Sequence, residues 1–287
     1  MALRTAEVDA ALDGFLPSGK VAPRTIHAAM RYTLFAGGKR LRPVLCLAAA
    51  EACGGDPAAA MAPACAVEAL HTYSLVHDDL PCMDDDDLRR GRPTCHKVYG
   101  EGMAVLCGDA LLTQAFAILA QTPANKRFGV GDYVAELAGA GGSVKLIGGQ
   151  VMDLEGEGKQ PTRRGLVRIH EAKTAALLTA ALRLGAMTAA ATPAKIAALS
   201  AFGRALGLAF QIIDDILDVT QTTAKLGKTA GKDKAAAKAT YPALIGLAAS
   251  RREAGKLTAA ALAALVPFRT KGERLRQLAE LLLKREY

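Results

Sequence analysis

The chain predicts a single all-α bundle enclosing a central cavity, and three observations lead there. Its 287 residues are rich in Ala and Leu, contain no Trp and only 5% aromatics, and offer few of the alternating runs that a half-buried strand needs. Glycines and prolines cluster so that segments of helical length lie between them. Two aspartate-rich stretches stand 136 positions apart, counted from Asp78 to Asp214, and a bundle with an interior cavity is an arrangement that sets such stretches face to face.

Along the chain the breaks fall at Leu16-Pro17-Ser18-Gly19, Ala36-Gly37-Gly38, Cys53-Gly54-Gly55-Asp56-Pro57, Gln121-Thr122-Pro123, Gly156 to Pro161, Thr192-Pro193 and Thr223 to Lys238. Val67 to His77 reads as a buried helix with polar groups on one stripe. His71, Ser74 and Asp78 fall at i, i+3 and i+7, so an imidazole, a hydroxyl and a carboxylate would line one wall. Pro81 should bend or end that helix. Thr174 to Thr188 and Ile196 to Val219 are small or apolar almost all round, the pattern of helices enclosed by other helices. The last 45 or so residues read as helical and carry no motif. Uninterrupted apolar runs such as Ala259 to Phe268 are too short to span a bilayer, so no transmembrane segment is expected. Met1 to Asp13 is mixed and charged, unlike a secretory leader. With 51% hydrophobic residues for a core, one domain over 1–287 is expected.

Dense acid inside a basic chain, net +8 with a pI near 9.2, points to bound cations. Six of the ten residues from Asp78 to Asp87 are aspartate, followed by Arg89, Arg90 and Arg92. The bend at Pro81 would bring Asp84 round to share ions with Asp78. In the second cluster, Asp214, Asp215 and Asp218 lie at i, i+1 and i+4 among apolar neighbours, which puts Asp214 and Asp218 on one helix face. Like charges in apolar surroundings resist ionisation unless a counter-ion is present. All-oxygen ligation with no adjacent Cys or His pattern favours magnesium, with manganese the alternative, over zinc.

Cations accompany the acids. Gly37-Gly38-Lys39-Arg40-Leu41-Arg42-Pro43 sets Lys39 and Arg42 three apart after a double glycine, a good anion clamp. Arg89 and Arg90 follow the first acidic motif, and Lys225, Lys228, Lys232, Lys234 and Lys238 follow the second. Few aromatics stand among these basic segments, and the carboxylates beside them would repel a polyanion, which argues against nucleic acid. Small phosphorylated molecules fit better. The six cysteines contain no CxxC pair and read as buried apolar groups of a reducing, cytoplasmic compartment.

These motifs together resemble the short-chain trans-polyprenyl diphosphate synthases, bacterial farnesyl diphosphate synthases above all. The resemblance rests on Gly37 to Pro43, on His71 through the first acidic motif to Arg89-Arg90-Gly91-Arg92-Pro93-Thr94, and on Gly148-Gly149-Gln150 and Lys173-Thr174. It continues through Gly207 to Asp215, Leu226 to Asp233 and Lys238-Ala239-Thr240-Tyr241-Pro242, and so covers roughly positions 37 to 242. It implies the isoprenoid synthase helical bundle, a homodimer, and three magnesium ions per active site held between the acidic motifs. The implied reaction is head-to-tail condensation of isopentenyl diphosphate with dimethylallyl or geranyl diphosphate, releasing diphosphate.

Carried over by matching position, Asp78, Asp84 and Asp214 are the implied magnesium ligands, supported by Asp79, Asp215 and Asp218. Arg89, Lys173, Thr174, Gln211, Lys228 and Lys238 match the allylic-diphosphate side, Lys173 and Thr174 also lying near the cation. Lys39, Arg42, His71 and Arg90 match the isopentenyl-diphosphate side. Residues four and five before the first aspartate form the pocket floor in this family; here they are Ser74 and Tyr73, and a bulky Tyr73 implies a stop near the C15 product, farnesyl diphosphate. The alternatives are a geranylgeranyl diphosphate synthase with a C20 product, and a non-catalytic synthase subunit. A terpene cyclase or head-to-head synthase does not normally need a second diphosphate clamp.

Overall fold

Two helices that cross almost backbone to backbone divide the interior. The computed structural model describes residues 1–159, 162–220 and 240–283. Its first elements are α1 (Ala2–Phe15), α2 (Arg24–Leu34), α3 (Leu41–Cys53), a 3-10 turn at Pro57–Ala60, and α4 (Met61–Asp78). A short hairpin (β1 Leu88–Arg89, β2 Arg92–Pro93) follows, then α5 (Cys95–Tyr99), α6 (Glu101–Leu119), α7 (Val130–Gly141), α8 (Leu146–Gly156) and α9 (Arg163–His170). A π-helical turn at Glu171–Ala175 leads into α10 (Ala176–Thr188) and α11 (Pro193–Thr220). The chain closes with α12 (Tyr241–Ile245), α13 (Leu247–Ala264), a 3-10 segment (Val266–Gly272) and α14 (Glu273–Leu283).

α3 and α10 are the dividing pair. At their crossing a Cβ on Gly185 would lie 2.0 Å from the Cys46 carbonyl oxygen, so only glycine permits the approach. On one side, α1, α2, α4, α6 and α7 pack a core that includes Leu12, Leu34, Leu70, Tyr73, Leu111 and Tyr133. On the other, α11, α13 and α14 pack a core around Leu199, Phe202, Ile213, Phe268 and Leu278. Alternate faces of α3 and α10 serve both cores, Leu47 and Leu184 in the first and Leu45 and Leu182 in the second. The first acidic motif therefore hangs from the first core and the second from the other.

Among the described residues helix ends follow the breaks predicted from Gly and Pro, with local chemistry at several of them, and the break at Thr223 to Lys238 lies outside those residues. Thr162 and Thr240 accept backbone N–H groups of Gly165 and Ala243 at the starts of α9 and α12. The hairpin was not predicted: Arg90 (φ 54°) and Gly91 (φ 75°) form its turn, and two-residue strands are too short to show any period. α6 and α11 are, by length and composition, long and apolar enough to cross a membrane, contrary to the reading from uninterrupted runs. Scattered polar residues interrupt their apolar runs, yet the mean hydropathy stays high. Both are packed in the bundle, α6 against α4 and α11 against α10 and α13.

Candidate active site

The first motif begins where α4 stops. After Asp78 the chain turns twice, with Leu80 N–H donating to His77 O and Met83 N–H to Leu80 O. The Asp84 N–H then donates to Asp78 O at 2.8 Å, which brings these two aspartates together as the bend at Pro81 predicts. Burial is the main reason that the Asp78 carboxyl is pushed up to about 6; Lys173 opposes the shift, and Asp84 adds to it. Asp79 turns the other way. Its Oδ1 accepts from Arg89 Nε at 2.9 Å and also from Arg89 Nη2, and Arg89 reaches Asp86 as well. The arginine that follows the acids thus holds their turn closed.

The cationic wall is built on the Gly37-Gly38 turn. Arg40 carries the αL conformation at the N-cap of α3 and is buried; its guanidinium pairs with Glu68 at 3.0 Å and Asp9 at 2.7 Å and donates to Leu34 O. Beside that anchor Arg42, His71 and Arg90 gather closely enough for their charges to act on one another. Burial, with Arg90 adding to it against Glu68, lowers Arg42 to about 10, and its Nε is enclosed without a partner. Burial and the charges of Arg42, Arg90, Arg89 and Arg40 drive His71 well below its ordinary range, so its imidazole is neutral. Arg90 donates to Gly37 O, and a Cβ on Gly38 would meet the Arg90 guanidinium at 2.5 Å. A wall of crowded cations with an unpaired guanidinium nitrogen suits an anion. Lys39 stands apart from it, exposed in a hollow with Met1, Thr5, Leu281 and Leu282.

The π-helical turn ties α8 to the second motif. Such a turn adds a residue to the helical register and offers two consecutive side chains in new directions. Lys173 Nζ reaches Asp153 on α8 at 2.6 Å, while Thr174 Oγ1 donates to Gln211 on α11 at 2.9 Å. Glycines press on the turn from both sides: a Cβ on Gly149 would lie 2.4 Å from Lys173 N, and one on Gly207 2.6 Å from Ala175 Cα. Gln211 passes the chain of bonds to Asp215 at 3.4 Å.

Within α11, Asp214 is half-buried, while Asp215 and Asp218 are 4% and 7% exposed. The Asp215 carboxylate accepts the Tyr241 N–H at 3.0 Å and lies 3.4 Å from His170 Nε2, and the His170 ring stacks on Tyr241. Asp215 therefore anchors the start of α12. Lys228 and Lys238 lie outside the described residues.

Tyr73 is 5% exposed on α4, edge-on to His77 with 5.8 Å between ring centroids. His77 in turn sits in a notch on α6, where a Cβ on Gly108 would lie 2.0 Å from its Nε2. The Ser74 hydroxyl donates to His71 O at 2.9 Å. The predicted stripe is thus present, but its hydroxyl is turned back onto the helix, as Ser commonly is when buried in one.

Sequence reasoning passed over Asp153, His170 and Arg40. Asp153 had one available signal, standing one turn after Gly149 and so on its face of α8. A further donor group, Asp85, Asp87 and His96, sets one ligand atom from each within 4.8 Å, though Lys97 already pairs with Asp87 at 2.7 Å. For a hard divalent cation the better fit is the oxygen set at the first motif, where crowded carboxylates oppose one another's ionisation.

An all-helical bundle with carboxylates gathered at one wall and guanidinium groups at another defines an enzyme class that handles small diphosphates. The family model described as polyprenyl synthetase matches residues 23–277, and the chain belongs to that family, among its short-chain trans-prenyltransferases. It is 53% identical over 275 residues to geranylgeranyl pyrophosphate synthase 9, chloroplastic, of Arabidopsis thaliana, covering 93% of this chain and 75% of that one. With a dimethylallyltranstransferase of Fischerella ambigua it shares 48% identity over 292 residues, covering 100% and 83%. A geranyltransferase of Helicobacter pylori, solved with magnesium and isoprenyl diphosphate, superposes with a TM-score of 0.83 at 33% identity, covering 99% of this chain and 96% of the other.

Proposed function

We propose that this prenyltransferase condenses isopentenyl diphosphate with dimethylallyl and then geranyl diphosphate, stopping at farnesyl diphosphate. The observation that carries the C15 stop is Tyr73, buried on α4 a little over one turn before Asp78 and backed by His77 in the Gly108 notch. An aromatic ring with a packed backing is a rigid floor for a growing apolar chain. The competing reading, a C20 product, draws support from the name of the Arabidopsis thaliana relative.

In this reading the allylic C–O bond breaks, the C4 carbon of isopentenyl diphosphate forms a bond to the resulting allylic cation, and a proton is lost. Asp78, Asp84 and Asp214, supported by Asp79, Asp215 and Asp218, would hold magnesium, which when bound neutralises charge on the departing diphosphate. Arg42, His71 and Arg90 take isopentenyl diphosphate, and Lys39, grouped with them by motif, lies in a separate hollow. Neutral His71 donates a hydrogen bond without adding to the charge of the arginines. Arg89 and Lys173 orient the allylic diphosphate, and Thr174 with Gln211 lines the space in which the allylic cation forms. Lys228 and Lys238 belong to the same diphosphate side by motif. The helices exclude water that would quench the cation.

A homodimer belongs to the same reading. Val98, Val105 and Leu106 are exposed apolar side chains on α5 and α6 that a second copy would cover. So does a reducing, cytoplasmic setting, consistent with free thiols at Cys46, Cys65, Cys95 and Cys107.

The test incubates the protein with magnesium, isopentenyl diphosphate and either starter, then identifies the dephosphorylated products by mass spectrometry. Farnesol is expected. Geranylgeraniol keeps the chemistry and overturns the length, and absence of any magnesium-dependent product favours a non-catalytic subunit. Tyr73→Ala should lengthen the product; an unchanged distribution removes Tyr73 as the floor.

A further inference from the structure

We infer that Asp9, on the N-terminal helix α1 and outside every motif, is a positioning residue for the isopentenyl diphosphate clamp. Through Arg40 it holds the turn from Gly37 to Arg42 in the shape that keeps Arg42 and Arg90 in place. The inference rests on the prenyl-transfer reading above.

Arg40 fastens the turn on three sides. Its Nε donates to Asp9 Oδ1 at 2.7 Å, Nη1 to Glu68 Oε1 at 3.0 Å and Nη2 to Leu34 O at 2.7 Å. These partners stand on α1, on α4 and at the end of α2, so one guanidinium ties three helices to the start of α3. The backbone of Arg40 needs that hold. Its φ of 47° and ψ of 40° lie in the left-handed region, which is unfavourable for a residue with a Cβ. Such a conformation persists only where its surroundings over-determine it.

The clamp hangs from the same turn. Arg42 stands two positions after Arg40, in the first turn of α3, and Arg90 donates to Gly37 O. His71 follows Glu68 by three residues on α4. Relaxation of Arg40 toward the extended region would redirect the chain where α3 begins, and would carry Arg42 and the seat of Arg90 with it.

Asp9 is also the partner that is removed most cleanly. Val8 and Leu12 are fully buried in the first core and seat α1, whereas the Asp9 side chain is 40% exposed. Loss of Glu68, in contrast, would strip a buried guanidinium of its buried counter-ion and threaten the fold. Ala is a better helix former than Asp, so Asp9→Ala leaves α1 itself intact.

The probe is isopentenyl diphosphate, titrated calorimetrically into metal-free protein so that the acidic motifs contribute no bound cation. Asp9→Ala should weaken its binding by about tenfold, a fraction of what an ångström of misplacement costs. In turnover its KM should rise to match, with kcat and the KM for geranyl diphosphate unchanged. Asp9→Asn keeps an acceptor oxygen at the same reach and should recover part of the loss. Arg4→Gln is the control for a merely structural role: it breaks a different tie of α1, to Glu51 on α3, without touching Arg40, and should leave binding at the native value. Equal losses in Arg4→Gln and Asp9→Ala overturn the inference, because α1 would then act through the fold at large. Unchanged binding in Asp9→Ala overturns it too, as does tighter binding, the result if Asp9 acted only as a negative charge beside a cationic wall. A native chain that binds no isopentenyl diphosphate removes the clamp assignment itself, and the inference with it.

Discussion

The first acidic motif leaves its helix and survives as a turn tied by its own arginine, whereas the second stays inside α11 and spends a carboxylate on the fold. In the first, Asp79 and Asp86 are gripped by Arg89 while Asp78 is half-buried and crowded by Asp84. In the second, Asp215 accepts the Tyr241 N–H and neighbours His170, so the carboxylate beside Asp214 anchors the chain where it returns after the acidic helix. In both motifs one of two adjacent aspartates, Asp79 or Asp215, is thus used as support. The supports differ because a turn has few backbone bonds of its own and needs a charged clasp, while a helix already satisfies its backbone and can lend a side chain to a neighbour.

The sharpest way to break this comparison is activity. Asp78→Ala and Asp214→Ala should each lower kcat by about a thousandfold, as loss of a group that stabilises developing charge does. A small effect at either would show that the motif is supported by other ligands.

Next comes stability. Asp215→Ala leaves the buried Tyr241 N–H without its acceptor and should cost about 2–3 kcal/mol in urea denaturation. Asp79→Ala frees an arginine that still has Asp86 and water, and should cost about 1 kcal/mol or less. Equal losses would erase the distinction between the two kinds of support.

The π-helical turn between the motifs gives a third test. Gly149→Ala forces a methyl against the Lys173 backbone and should destabilise by about 1–3 kcal/mol. Gly139→Ala, in an open part of α7, should stabilise by up to about 1 kcal/mol.

A further test is a pH dependence. Because the folded protein holds the Asp78 proton more tightly than the unfolded chain does, this group's stabilising contribution is fully present below 3.8 and is lost as pH rises through about 6. In metal-free protein, Asp78→Asn should therefore gain stability relative to native as pH is raised across that window, and added magnesium should narrow the gap. A gap independent of pH would mean that Asp78 is not crowded as described.

Much of the site was legible because its chemistry is written in contiguous runs. The stripe His71, Ser74, Asp78 follows from helical period, and the turn at Pro81 from a missing N–H. Arg40 could not be told from Lys39 and Arg42 in the same basic run, yet only Arg40 is a buried anchor, since its partners Asp9 and Glu68 are distant in sequence. His170 carries no local pattern, and Asp153 only its place one turn after Gly149.

By itself, then, the sequence determined the helical class, most of the helix limits, and which residue types could meet a metal and a diphosphate, because capping, periodicity and charge density are local. Only the tertiary structure decided which member of each acidic pair serves as a clasp, and that a π-helical turn pinned by Gly149 and Gly207 ties α8 to the second motif. Those outcomes depend on how closely α8, α10 and α11 approach one another, and close approach is a property of packed backbones rather than of any one segment.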